Sequence, residues 1–302
     1  MQEHTEKKKR KTAWAEIIFL TVILIIPLTQ FAVMYVGVNF NSILMSFQRY
    51  DSRLGDYVFM GTGNFKQFFS DIVNSAELGI AVKNSAINYI ASLVIALPLC
   101  LLISYYIYKK MLLNGVFKVV VFIPNILSNV IMITIFKYLV ESGLGKVLGM
   151  NLLTNIDTAF WTILAYNQWI ALGVNMILLT GAMSRVPETL IEAAQLEAIT
   201  YFKEFMKIVL PLIFPTITTI LVTGVAAFFT NQASIYILYG DSAPQYVNNL
   251  AYYIFIKVAG ATASYAEYPY ASSAGIVFTL VAAPLTILVK TLLEKFGPKV
   301  EY

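Results

Sequence analysis

Six stretches of this 302-residue chain carry no charged side chain: Ile17 to Gln48, Asn84 to Tyr108, Val119 to Phe136, Thr158 to Ser184, Ile208 to Gly240 and Tyr268 to Val289. A helix needs about 20 residues to cross the roughly 30 Å hydrocarbon core of a bilayer, and all six reach or approach that length. Only helices or closed barrels satisfy every backbone hydrogen bond in lipid. Runs this long and this apolar, without a two-residue alternation, predict helices. Hydrophobic residues make up 58% of the chain and charged ones 13%, against about 25% charged in a soluble domain. The expected fold is therefore an all-α integral membrane protein with six transmembrane helices. Pro27, Pro98, Pro124 and Pro284 fall inside these runs and predict kinks.

A secretory signal is the competing reading of the N-terminus, because Lys7-Lys8-Lys9-Arg10-Lys11 precedes an apolar run. That run is too long for a signal peptide and lacks a convincing cleavage site, so it is expected to be the first retained span. With the N-terminus placed inside, six alternating spans leave Arg49, Arg53, Lys66, Lys83, Lys137, Lys146 and Lys257 outside, seven of the 21 basic residues. The other fourteen fall inside, and this bias predicts that both termini are cytoplasmic. The expected layout is one transmembrane domain over residues 1–302. It has a cytoplasmic basic tail (1–14), a cytoplasmic loop (185–207) and an external loop (241–267), and other external loops lie near 49–80 and 141–157. The stretch Asn248 to Val258 is aromatic and partly apolar, and predicts a short helix along the membrane surface.

Chemistry is limited by what the chain lacks. The single cysteine, Cys100, sits in an apolar run, and the single histidine, His4, sits in the basic tail. No disulfide framework, His-ligated metal or Ser–His pair can be built from them. No Gly-x-x-x-x-Gly-Lys-Ser/Thr pattern occurs, so the sequence offers no phosphate-binding loop for ATP. A membrane enzyme is disfavoured because no acid–base or metal constellation lies in or beside the spans.

The cytoplasmic loop is the most patterned segment. Pro187 and Glu188 suit a helix N-terminus. Leu190, Ile191, Ala194 and Ala198 then form an apolar stripe, with Glu188, Glu192 and Gln195 opposite. Phe202, Phe205, Ile208 and Val209 continue an apolar face, and Pro211 and Pro215 mark entry into the next span. A helix lying on the membrane to close the loop is one reading. Yet the polar face presents Glu188, Glu192, Glu197 and Glu204 against Lys203 and Lys207, which anionic headgroups would repel. A protein partner suits that face better.

Glu192-Ala193-Ala194, followed by Glu197, Ala198, Phe205, Ile208, Leu210-Pro211 and Pro215, resembles the EAA loop of permease subunits of bacterial ABC importers. The resemblance implies that this loop supplies coupling helices seated in a groove of a cytoplasmic ATPase. Glu188, Glu192, Ala193, Ala194, Glu197, Ala198 and Phe205 are then the coupling residues. The family usually has Asp-Gly where this chain has Glu197-Ala198. If that position needs positive φ, alanine costs on the order of 1 kcal/mol. The bend is thus expected to be less sharp here, or made without positive φ. Ser46-Phe47-Gln48-Arg49-Tyr50-Asp51, Gly63-Asn64-Phe65 and Tyr268-Pro269-Tyr270-Ala271-Ser272 resemble the carbohydrate-uptake branch, whose larger maltose-type permease is the nearest type. Gly240-Asp241-Ser242-Ala243-Pro244 departs from that branch's Gly-Gly-Pro run. The resemblance further implies a second permease subunit of similar fold, two ATPase subunits carrying ATP and Mg, and an extracytoplasmic solute-binding protein. It implies a bacterial cell membrane with its lipid, no cofactor on this chain and no nucleic acid partner.

Polar side chains inside apolar spans are costly and mark functional positions by default. In the fourth span Asn167, Ala171, Val174 and Asn175 share one helical face, with Gln168 beside it. In the fifth, Gly224, Phe228 and Asn231 share a face, followed by Gln232. Counted from Glu192, Asn167 and Asn231 fall where maltose-type permeases place sugar-contacting asparagines. Ala171 and Gly224 are small enough to leave room for a ring, and Tyr166, Trp169 and Tyr236 could stack on one. The competing reading is that these amides make interhelical hydrogen bonds, worth about 0.6–2 kcal/mol, and it suits Gln168 and Asn175 best. No charge lies near the middle of any expected span, which disfavours ion-coupled transport and an anionic solute. A neutral sugar or oligosaccharide is expected. The alternatives are glycerol-phosphate or another polyol-like solute, and a membrane scaffold without transport.

Overall fold

In a computed structural model of the chain, residues 2–232, 234–260 and 264–298 are described, with side chains from Trp14 onward. The side chains of the basic tail up to residue 13, Lys299, and residues 261–263 of the external loop lie outside the described residues. The chain divides into two units, one of residues 1–68 and 265–276 and the other of 69–264 and 277–302.

In the first unit a long helix, α1, runs at membrane length over Trp14–Ser46, with a widened π-helical stretch at Phe31–Gly37. Its apolar side chains are exposed throughout, as a lipid-facing or partner-facing span requires. A two-stranded antiparallel hairpin follows, β1 (Gln48–Asp51) and β2 (Asp56–Phe59), with Arg49 opposite Val58. The all-α expectation has no place for these strands. Local chemistry makes them: Asp51 Oδ1 accepts from the Arg53 N–H at 2.9 Å, and Gly55 takes φ +68° in the turn. Asn64 then explains its own motif. Its side-chain amide donates to the carbonyls of Ser46 at 2.8 Å and Gln48 at 2.7 Å, locking the end of α1 to β1. It does so from the first turn of α2 (Gly63–Asn74).

The second unit carries the candidate sites. Helix α3 spans Ala76–Tyr108 with a π-helical turn at Ser92–Ala96, and Ser75 caps its start by accepting from the Leu78 N–H. The third expected span is not one helix. It is α4 (Asn114–Ile126) and α5 (Asn129–Leu148), bent by 107° at residues 127 and 128. Leu127 is extended and Ser128 caps α5, so backbone conformation and a new helix start fall together at the break. Next come α6 (Ala159–Met183), α7 (Glu188–Leu196), and α8 (Tyr201–Glu204, continued by a π turn at Phe205–Val209). The fifth expected span begins at Phe214 and breaks at Asn231, giving α9 (Phe214–Thr230) and α10 (Ile235–Tyr239). Helix α11 (Leu250–Ala259) and the C-terminal part of α12 (Tyr268–Phe296) complete the unit. Among the described residues five helices are long and apolar enough to cross a bilayer, or six when the bent pair counts as one span.

Two apolar cores hold this unit. One gathers Cys100, Tyr105, Met176, Leu179, Met183, Phe205 and Val209 from α3, α6 and α8. The other gathers Ile133, Leu153, Ile163, Tyr166, Ile235 and Tyr252 from α5, α6, α10, α11 and a connecting loop. Gly173 lets α4 approach α6: a Cβ there would sit 2.8 Å from the Val121 carbonyl oxygen and 2.0 Å from Asn125 Nδ2. Helix α11 does not simply lie along a surface. Leu250 to Tyr253 are buried, and the helix packs against α3 and α9.

Candidate functional site: adjoining cavities and an acidic loop

One cavity of about 270 Å³ opens between α3, α6 and α9. Its polar lining includes Asn88, Tyr89 and Ser92 from α3, Asn175 from α6, Thr223 from α9, and Asn249. A second, of about 450 Å³, is lined by Asn125 and Asn129 at the α4–α5 bend, Tyr166 and Asn167 of α6, and Ser234. Ala171 and Asn231 line both, so the two lobes adjoin at those residues, which form a shared wall. Among the described residues, no charged side chain lines either lobe. A larger space of about 700 Å³ lies between the start of α9 and the end of α12, with Lys290 and Glu294 on its wall, and adjoins the first lobe at Thr223.

Of the residues picked from the sequence for the solute, Asn175, Gly224 and Phe228 line the first lobe, Asn167 the second, and Ala171 and Asn231 both. Val174 and Gln232 line neither, and Val174 is 52% exposed. A helix face about 100° wide at i, i+4, i+7 and i+8 spans more than one neighbour, and Val174 falls on its outer edge. Gln168 makes the interhelical bonds of the competing reading. Its Oε1 accepts from Ser92 Oγ at 3.1 Å, and its Nε2 donates to Asn88 Oδ1 at 3.3 Å. Gly224 lines the first lobe, and the Tyr89 ring takes part of the room its missing side chain leaves. A Cβ there would lie 3.1 Å from Tyr89 Cε2, so the protein's own ring uses the space. Tyr166 is buried with its ring 4.6 Å from Phe136, and Tyr236 packs edge-on to Phe255 at 4.8 Å.

Asn88, Tyr89 and Ser92 were not picked out, although Asn88 is polar within an apolar run, the signal that identified Asn167. Asn125 was missed because it precedes a bend that periodicity does not show. Its amide donates to the Ile170 carbonyl at 3.2 Å and so fixes the bend against α6.

Asparagines also stitch the loop between α10 and α11 over the first lobe. Asn84 donates to the carbonyls of Tyr246 and Asn248, each at 2.9 Å, and the Leu250 N–H donates to Ser85 Oγ at 3.1 Å. Asn249 donates to the Asn231 carbonyl at 2.9 Å. The Tyr252 hydroxyl donates to the Gly240 carbonyl at 2.8 Å and accepts from the Ala243 N–H at 3.3 Å. Burial pushes this phenol above its usual value, so it stays protonated and keeps its donor.

At the other end, α7 presents Glu188, Glu192, Ala193 and Glu197 outward, while Ile191 and Ala194 are buried beneath. Leu190, on the expected apolar stripe, is 42% exposed. The turn after α7 is a left-handed one made by alanine. Ala198 has φ +53°; its N–H donates to the Gln195 carbonyl, and the Ile199 N–H donates to the Ala194 carbonyl, both at 3.0 Å. These two bonds form a Schellman cap. The expectation of a bend made without positive φ is therefore overturned: the cap bonds hold the turn and alanine carries the strain.

Two neighbouring residues at the end of the loop, Glu204 and Phe205, also face inward. Phe205 is buried against the Tyr105 ring at 4.9 Å. Glu204, expected on the acidic face, is 2% exposed and pairs with Lys109, whose Nζ lies 2.9 Å from Oε1 and 3.1 Å from Oε2. The Tyr105 hydroxyl shares its proton between Glu204 Oε1 at 3.0 Å and the Tyr201 carbonyl at 3.1 Å. Removing one member of a buried pair generally costs about 3–5 kcal/mol. Sequence patterning missed this pair because its members lie 95 residues apart.

A multi-span helical protein with cavities lined by amides, hydroxyls and aromatic rings, and an acidic, partly apolar loop between two spans, fits the class of membrane transport subunits. The chain belongs to the family of inner membrane components of binding-protein-dependent transport systems, whose profile matches residues 96–302. It is 23% identical over 257 residues to the arabinooligosaccharides transport system permease protein AraP of Bacillus subtilis, covering 81% of this chain and 79% of that one. It is 29% identical over 174 residues to the Probable ABC transporter permease protein MG188 of Mycoplasma genitalium, and the match spans 52% of each chain. The maltose/maltodextrin permease protein MalF of Vibrio vulnificus is 25% identical over 197 residues, which are 61% of this chain and 37% of MalF. In fold, the chain is similar to one in a crystal structure of a bacterial ABC transporter involved in the import of the acidic polysaccharide alginate. The TM-score is 0.75 at 19% identity, covering 94% of this chain and 99% of that one. A second structure of a bacterial alginate ABC transporter, in complex with alginate pentasaccharide-bound periplasmic protein, gives 0.73 at 19% identity over 95% and 96% of the two chains.

Proposed function

We propose that this chain is the membrane subunit of an ATP-driven importer that moves a neutral sugar or oligosaccharide into the cytoplasm by alternating access. The observation that carries the reading is the pair of adjoining lobes, walled by amides, hydroxyls and aromatic rings with no charged side chain among the described residues. Such walls can replace the hydration of hydroxyl groups, whereas an anion would leave water without a cation to receive it. The names of AraP and MalF support a carbohydrate. The alginate importers are similar in fold, and their acidic polysaccharide is not adopted for this chain, whose lobes offer no basic side chain.

Asn167 and Asn231 are the proposed solute contacts in the second lobe, with Asn175 and Phe228 in the first and Ala171 and Asn231 where they join. The family places the chain beside partners, and we assign it a second permease, two ATPases carrying ATP and Mg, and an extracytoplasmic binding protein. Both termini are assigned to the cytoplasm from the placement of basic residues. The exposed Glu188, Glu192, Ala193 and Glu197, with exposed Leu190, Leu196 and Phe202 around them, form the surface offered to the ATPase.

Two measurements test this. In vesicles carrying the chain with its native partner subunits, Asn167→Ala with Asn231→Ala should abolish uptake of labelled malto- or arabino-oligosaccharide and leave assembly intact. Uptake unchanged by both substitutions would refute the solute assignment. Glu192→Lys should lose co-purifying ATPase, and normal ATPase capture and transport in that variant would remove the coupling role. Uptake of glycerol-phosphate in place of sugars would favour the polyol reading, with the partner permease supplying a cation.

A further inference from the structure

The buried Lys109–Glu204 pair lines neither lobe and lies beneath the exposed acidic face, so the transport reading leaves it without a task. The geometry points to one: this pair, completed by Tyr105, clamps the coupling loop to α3, so that a push on the loop is delivered along α3 to the cavity wall. The inference rests on the importer reading above.

The clamp joins two elements at several points. Lys109 follows the last turn of α3, where a cation also suits the helix dipole. Its Nζ meets both carboxylate oxygens of Glu204 and lies 5.4 Å from the centre of the Tyr201 ring. One turn back, Tyr105 shares its proton with Glu204 and the Tyr201 carbonyl while its ring packs on Phe205. Residues 105 and 109 of one element therefore grip 201, 204 and 205 of the other through charge, hydrogen bonds and ring contact.

Burial makes the grip rigid. Lys109 and Glu204 are 11% and 2% exposed, so sliding one past the other would strand a charge away from water. The contrast within this unit is Lys290 and Glu294, a 3.7 Å pair on one helix face with both members more than half exposed. Water screens such a pair, and its members can part freely.

Helix α3 then carries the motion. Tyr105 and Ser92 are about 20 Å apart along a helix rising 1.5 Å per residue. The π turn at Ser92–Ala96 falls where α3 lines the first lobe with Ser92, Leu93 and Ala96. Widened turns are places where helices bend and where function concentrates. Lys109 and Glu204 act as positioning residues, since neither touches the lobe.

The test uses inside-out vesicles containing the full chain with its native partner subunits, and Leu93→Cys as a reporter for a membrane-impermeant maleimide. The native Cys100 is 1% exposed and sets a low background. With the pair intact, ATP plus vanadate should change labelling severalfold. Glu204→Gln should abolish that change while ATPase capture and hydrolysis persist, and Lys109→Glu with Glu204→Lys should restore it. A full ATP response in Glu204→Gln would overturn the clamp, as would an assembled charge-swap variant that stays unresponsive. If Glu204→Gln fails to accumulate, Tyr105→Phe keeps the ring on Phe205 and removes only the hydroxyl. It should weaken the response severalfold, and an undiminished response there would equally overturn the clamp. Absent labelling change and absent ATPase capture with the pair intact would instead sink the importer reading and the clamp together.

Discussion

The side-chain amide of Asn249 is used at both ends: Nδ2 donates to the Asn231 carbonyl and Oδ1 accepts from the Tyr252 N–H, each at 2.9 Å. The first bond ties the loop between α10 and α11 to the residue shared by both lobes. The second caps α11. Asn249→Ala removes both, and a cap alone is worth about 1 kcal/mol. A lower thermal midpoint of the purified complex is expected, together with reduced uptake. An unchanged midpoint would show that the other bonds to this loop, from Asn84, Ser85, Glu77 and Tyr246 among them, hold it without Asn249.

Ala198 holds a left-handed conformation at φ +53° that glycine adopts without a Cβ clash. Ala198→Gly should stabilise the chain by about 1 kcal/mol, since the Schellman bonds already fix the turn. Denaturation of the detergent-solubilised protein measures it. A fall in stability would mean that the entropy of glycine in the unfolded chain outweighs the relieved strain.

Gly173 and Gly224 separate two kinds of tight contact. At Gly173 the obstacle includes the Val121 carbonyl, which is backbone, so Gly173→Ala should cost about 1–3 kcal/mol and part α4 from α6. At Gly224 the obstacle is the edge of the Tyr89 ring, which can rotate away into the first lobe. Gly224→Ala should therefore fold nearly normally and slow uptake by narrowing that lobe. Equal loss of folded protein in both variants, read by size-exclusion yield, would contradict the distinction.

Phe202 and Phe205 lie three residues apart and do opposite work. Phe205 is 6% exposed in the core of α3, α6 and α8, whereas Phe202 is 69% exposed. Phe205→Ala should cost about 3–5 kcal/mol of stability. Phe202→Ala should leave stability unchanged and weaken ATPase capture. Thermal midpoints and pull-down yields, measured side by side, check the pair.

Composition and charge placement decided the membrane class of this protein, because long uncharged runs admit no other backbone arrangement in lipid. Helical periodicity likewise marked Ile191 and Ala194 as the inner face of α7, and polar residues within apolar runs marked Asn167, Asn175 and Asn231, which all line a lobe. Those signals are local: they depend on residues three or four positions apart. Periodicity was silent where a helix stops being periodic. The 107° break at Leu127–Ser128 and the end of α9 at Asn231 each follow from backbone conformations that a hydrophobic count does not register.

Contacts across long sequence separations belonged to the folded chain alone. Glu204 reads as one more glutamate on an acidic helix until α3 brings Lys109 to it from 95 positions away. Gly224 reads as empty space until the Tyr89 ring takes part of it. Side-chain type and spacing limit what a residue can do. The neighbour it meets, and hence whether its charge is solvated or paired, is set only when distant segments pack.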